Sequence, residues 1–170
     1  MKNTKKLVLL AIMVSQALVL SLVESWIPVP TFVYGIKLGL ANIVTLVVIV
    51  FFGFKDALLV VLVRCALAAL FGGGFVVFLF SITGGILSTI VMSFLFKKLS
   101  KVFSLIGISI AGAVTHNLGQ IIIAILVMKT LSVAAYLPVL LVSGVVMGCF
   151  VGLCSSFLCT VLRRNNVINQ

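Results

Sequence analysis

The stretch AVTHNLGQIIIAIL at Ala113–Leu126 puts His116, Asn117 and Gln120 within five positions of an apolar run. His116 is the only histidine in the chain. His116 and Gln120 are four residues apart and therefore share a helix face. Two more polar residues interrupt apolar surroundings, Asn42 and Arg64, and Thr45 follows Asn42 by one turn. These types, set in hydrocarbon-like sequence, point to a polar pocket that binds a solute. Arg64 is the sharpest signal, because its guanidinium cannot shed its charge and needs an anion. The chain offers one aspartate and one glutamate, Asp56 and Glu24. Asp56 is about two helical turns from Arg64, too far for direct contact.

Depth can be read from helical rise. Arg64 lies about nine residues past the Gly53–Asp56 turn, roughly 13 Å along a helix and so near a membrane midplane. His116 is about eleven residues into its own segment, at a similar depth, with Gln120 one turn further out. Asn42 lies just inside the outer end of its segment. Three different helices thus converge at one level, as a binding pocket requires. Each residue also has a packing role open to it. Asn117 and Gln120 can be interhelical hydrogen-bond links worth about a kcal/mol or less. His116 can be a neutral histidine satisfied by a neighbour.

Glu24 has a second candidate partner. It falls at the C-terminal end of the first segment, where a helix dipole disfavours an anion, and Lys37 falls at the N-terminal end of the second, where it disfavours a cation. A Glu24–Lys37 pair would relieve both and leave Arg64 for an anionic ligand. The loop PVPTFVYG at Pro28–Gly35 between them reads as an interfacial connector, with a lid over the pocket as the alternative.

The elements that must carry these residues follow from composition. Of 170 residues, 64% are hydrophobic and 8% charged, with mean hydropathy +1.47. Too few polar residues exist to cover a soluble surface. Backbone groups in lipid must pair internally, and the apolar runs are too long and unbroken for barrel strands, so the expected class is an all-α integral membrane protein. The net charge of +10 comes from cations flanking apolar segments, a topology signal and not a nucleic-acid footprint. Cys65, Cys149, Cys154 and Cys159 fall inside apolar segments without metal-ligand spacing and read as small fillers.

Six transmembrane helices are expected in a single domain, at Leu7–Ile27, Ile36–Phe52, Ala57–Phe71, Phe75–Phe96, Leu105–Met128 and Tyr136–Leu162. Asp56 is the expected N-cap of the third, and Gly72–Gly74 the next turn. The first helix is read as uncleaved, since Glu24 and Trp26 intrude where a signal-peptidase site would lie. With both termini cytoplasmic, nine cations (Lys2, Lys5, Lys6, Lys55, Lys97, Lys98, Lys101, Arg163 and Arg164) lie inside and two, Lys37 and Lys129, outside. Small residues at Gly144, Gly148, Gly152 and Ser156, at Ala111, Thr115 and Gly119, and at Ala11 and Ser15 mark helix contacts, by default within the bundle itself.

The sequence lacks a Walker motif, paired carboxylates, an Asp-rich magnesium site and a Cys/His cluster. Neither catalysis by this chain alone nor a cofactor or metal is expected.

The motifs IKLGLANIVTL (Ile36–Leu46), GFKDALLVVLVR (Gly53–Arg64), FSITGGILS (Phe80–Ser88) and AVTHNLGQ (Ala113–Gln120) together resemble the family labelled heptaprenyl diphosphate synthase component I, also called the Gx transporter family. The resemblance spans nearly the whole chain. It implies a bundle similar to the substrate-binding S components of energy-coupling-factor (ECF) transporters, with solute held in the outer half of a bacterial cytoplasmic membrane. It also implies partners: a transmembrane coupling protein with ATPases, or a prenyl synthase or a flavoprotein of quinone-linked electron transfer. A prenyl synthase needs two acidic motifs, so a chain with two acids is at most an accessory subunit. The expected function is a solute-binding transporter subunit whose site comprises Lys37, Asn42, Arg64, His116, Asn117 and Gln120. The alternatives are a non-catalytic partner in polyprenyl diphosphate or quinone metabolism, and a structural anchor.

Overall fold

A computed structural model describes residues 3–26 and 39–165. Those residues are mostly helical, and no strand occurs among them. The helices are α1 (Asn3–Ser25), α2 (Asn42–Phe52), α3 (Phe54–Ala68), α4 (Gly74–Leu99), α5 (Leu105–Met128) and α6 (Leu137–Arg164). A π-helical turn, Ala69–Gly73, joins α3 to α4, and a 3₁₀ turn, Leu131–Tyr136, precedes α6. Four of the helices, α1, α4, α5 and α6, are long and apolar enough to cross a membrane.

The short helix α2 sits on the axis of the bundle. It packs against each of the other five α-helices, and Asn42–Ile49 and Phe51 are all buried. Eleven residues rise about 16 Å, roughly half a hydrocarbon core. The expected full-length span over Ile36–Phe52 is therefore corrected: residues 39–41 are a turn, and the helix begins at Asn42. The largely apolar run signalled this break only through Gly39, because a buried turn can be nearly as apolar as a buried helix.

The α2–α3 reversal is made by one residue. Gly53 has φ 87° and its N–H reaches the carbonyls of Val48 and Ile49 at 3.1 and 3.2 Å. Gly53, not Asp56, is the N-cap of α3; glycine reaches this left-handed φ without a Cβ clash. Asp56 is left in the first turn of α3, where it pairs with Lys6 of α1 at 2.8 Å. The helical stretch thus starts at Phe54, earlier than expected, and with the π turn runs to Gly73. Lys6 is 40% exposed, so Asp56→Asn should cost less than about 1 kcal/mol. A small drop in melting temperature that vanishes at high salt would show it.

The buried faces of α4, α5 and α6 carry small and polar residues, while large apolar side chains such as Phe94, Phe150 and Phe157 point outward. That inverted pattern suits a surround of lipid. It also permits close approach: a Cβ on Gly148 or Gly152 would lie 2.6 Å from the Cα of Ile110 or Ile106 on α5. The α6 stripe therefore packs within the bundle, as does Gly119 against Gly84 of α4. The α5 helix matches its expected bounds. Ser104 caps it, its Oγ accepting the Gly107 N–H at 3.3 Å, and Lys129 in the left-handed region closes it.

Candidate functional site

The polar residues gather around the buried N-terminal end of α2. Gly39 and Leu40 precede its cap, and the N–H groups of Asn42 and Ile43 bond back to their carbonyls at 2.9 and 3.1 Å. Gly39 holds φ 91°, a conformation that favours glycine. Its N–H donates to the Glu24 carboxylate. Glu24 is 2% exposed, so the end of α1 brings a carboxylate to the start of α2. The α2 dipole favours an anion there, which offsets the penalty at the end of its own helix. Glu24–Lys37 pairing and the Pro28–Gly35 lid both involve residues outside those described.

Gly39 also brings Asn42 and His116 together. A Cβ there would lie 3.0 Å from Asn42 Nδ2 and 3.8 Å from His116 Cδ2. Asn42 is 2% exposed, and neither its Nδ2 nor its Oδ1 has a hydrogen-bond partner among the described residues. His116 Nε2 is 3.2 Å from Gln120 Nε2 one turn along α5, the i, i+4 contact that their spacing implies.

Opposite α5, the Gly84–Gly85 step of α4 forms a shallow floor. A Cβ on Gly84 would lie 2.9 Å from His116 Cε1, Nδ1 and backbone oxygen; one on Gly85 would lie 3.4 Å from Arg64 Nη2. Two adjacent glycines thus let His116 of α5 and Arg64 of α3 approach the same backbone. Arg64 is 3% exposed, and its Nε and Nη2 have no hydrogen-bond partner among the described residues. Those nitrogens form one edge of the guanidinium, whose parallel N–H groups match the two oxygens of a carboxylate or phosphate. Ser81, one turn before the glycine step, is buried with its hydroxyl likewise unpartnered among the described residues.

The structure therefore brings Asn42, Arg64, His116 and Gln120 into one neighbourhood, along with Glu24. Asn117 faces elsewhere. Its Nδ2 donates to the Leu140 carbonyl of α6 at 2.6 Å and abuts Gly144, so it performs the interhelical role. Lys37 lies outside the described residues. Sequence reasoning missed Gly39, Ser81, Gly84 and Gly85. The available signal was the helical spacing of small residues in FSITGGILST, which reads equally well as ordinary packing.

A family model described as heptaprenyl diphosphate synthase component I matches residues 13–158. No curated protein matches the chain, and no solved structure matches it.

Proposed function

The chain belongs to the heptaprenyl diphosphate synthase component I family, and from that footing we propose that it is a solute-binding membrane subunit of a transporter. The reading has the chain cross a bacterial cytoplasmic membrane six times with both termini inside, as one domain resembling an ECF S component. A small anionic solute binds in the outer half. Arg64 holds the anion, Asn42 and Gln120 orient the remainder, and His116 forms the wall between them. Lys37, which lies outside the described residues, is proposed to add its charge to the same anion, and Asn117 supports α5 through α6. A transmembrane coupling protein and ATPases supply the energy.

One observation carries the reading: a buried guanidinium presents a two-donor edge that nothing among the described residues occupies. An ionised group in an apolar interior is costly unless paired, so it marks a place for an anion. The family description favours a second reading, a non-catalytic partner of a prenyl synthase, in which the anion is a lipid diphosphate. In both, this chain does no bond chemistry itself.

Native mass spectrometry of the protein in mild detergent separates them. The transporter reading expects a bound small anion that is absent from Arg64→Gln. A bound polyprenyl diphosphate, or a co-purified prenyl synthase with no small anion, establishes the second reading instead. No bound anion of either kind, with Arg64→Gln otherwise indistinguishable, overturns both.

A further inference from the structure

We propose that the turn between α4 and α5 is a docking site for an anionic phospholipid, its phosphate held by Lys97, Lys98 and Lys101 and an acyl chain laid along the outer face of α4. The site shares no residue with the one assigned to the solute and does not depend on what that one binds. The first ground is charge. The three lysines fall within five positions, and all are exposed. The chain has two acids, and both are engaged elsewhere: Asp56 pairs with Lys6 at 2.8 Å, and the Glu24 carboxylate accepts the Gly39 N–H. The turn is thus a concentrated positive charge with no acidic side chain left to balance it. The dipole of α4 favours Lys97 and Lys98 in its last turn, but Lys101 lies beyond the helix end at Leu99.

The second ground is the apolar surface beside that charge, which selects lipid over an acidic protein. The N–H groups of Val102 and Phe103 both reach the Leu99 carbonyl at 2.9 Å. This tight turn leaves Val102 76% and Phe103 43% exposed next to Lys101. Before the turn, Ile90, Phe94 and Lys98 follow one another at four-residue spacing and so form one stripe on α4. The stripe faces outward, with Ile90 46% and Phe94 59% exposed. From Ile90 to Lys98 the helix rises about 12 Å, close to the roughly 15 Å of hydrocarbon in one leaflet. A phosphate at the lysines therefore sets an acyl chain against Phe94 and Ile90, with the ammonium groups at headgroup level. An acidic protein would match the lysines but makes no use of apolar side chains placed at acyl-chain depth.

Native mass spectrometry of the delipidated full-length protein, titrated with phosphatidylglycerol, phosphatidylcholine or glycerol phosphate, tests this. One equivalent of phosphatidylglycerol should bind at least about tenfold tighter than phosphatidylcholine, given roughly fivefold per basic residue at such a headgroup. The advantage should shrink as salt rises. The triple variant Lys97→Gln, Lys98→Gln, Lys101→Gln should erase it while leaving phosphatidylcholine binding unchanged, which shows that the variant is folded. Lys101→Gln alone, outside the helix, should weaken phosphatidylglycerol several-fold. Lys55→Gln, at an exposed lysine elsewhere, should change nothing. Equal affinity for the two lipids overturns the proposal. So does an equal loss in Lys55→Gln, which makes the attraction one of overall charge. Glycerol phosphate binding as tightly as the lipid overturns the lipid assignment in favour of a soluble anion. Full lipid preference in the triple variant overturns the site, and loss of a co-purified acidic protein from that variant assigns the lysines to the protein instead.

Discussion

Arg64→Gln will abolish anion binding and, in the ligand-free protein, raise thermal stability. The two effects share one cause. In the proposed complex, the buried edge of the guanidinium would make paired charge-assisted hydrogen bonds, the strong class. Removing one partner of a buried charged pair costs about 2–5 kcal/mol, roughly thirtyfold to several thousandfold in Kd. Without ligand, Nε and Nη2 lack partners among the described residues, and an uncompensated buried ion carries a desolvation penalty of several kcal/mol that a neutral side chain largely avoids. Equilibrium dialysis and thermal unfolding in the same detergent measure both. A purely structural arginine would give the opposite stability change, because its loss would break native contacts. Arg64→Lys should also bind poorly, since a point charge cannot reproduce the planar fork.

Gly84→Val should be the most disruptive single substitution at the α4–α5 contact. Its Cβ would lie 2.9 Å from the backbone oxygen of His116 as well as from two ring atoms. A ring can turn aside, but a helix backbone can yield only by moving the helix. The added methyls make it worse, and overpacking of this kind costs about 1–3 kcal/mol or more. Ligand affinity should fall with stability, because His116 and Arg64 share that floor. Gly107→Ala is the control: its Cβ would meet the ring of the exposed Phe103 at 3.2 Å, and that side chain can rotate away. Melting temperatures by size-exclusion after heating should separate the two variants by several degrees, about what 1 kcal/mol shifts a domain of this size.

Which features could be read from the sequence depended on how local their cause was. The limits of α5 were legible because Ser104 is a conventional cap and Lys129 follows the last apolar turn. The His116–Gln120 contact followed from helical spacing alone. Asn117 was ambiguous by the same logic: one residue from His116, it projects onto a different face and reaches α6. The beginning of α2 was hard to read, since Ile36–Ala41 is apolar apart from Lys37 and only Gly39 hinted at a turn. The cap of α3 was misassigned because Asp56 is a good capping type; the turn depended instead on backbone freedom at Gly53. The Gly84–Gly85 floor belongs to tertiary structure. Glycines in a membrane helix show that something comes close, not what.

The enclosure of α2 has a consequence for how the protein is made. Insertion machinery sorts a nascent chain by offering each segment a choice between channel and lipid, and a stable choice of lipid takes about twenty apolar residues. Eleven residues fall short of that, and a helix lined on every side by protein gains little from lipid. Yet α2 leaves the ribosome before α4, α5 and α6, which supply much of its packing surface. It must therefore be kept beside α1 and α3 until the later helices arrive and close around it. Biogenesis of this chain thus contains a waiting interval, ended by synthesis of its C-terminal half, and the buried end of α2 takes its final place only when that interval is over.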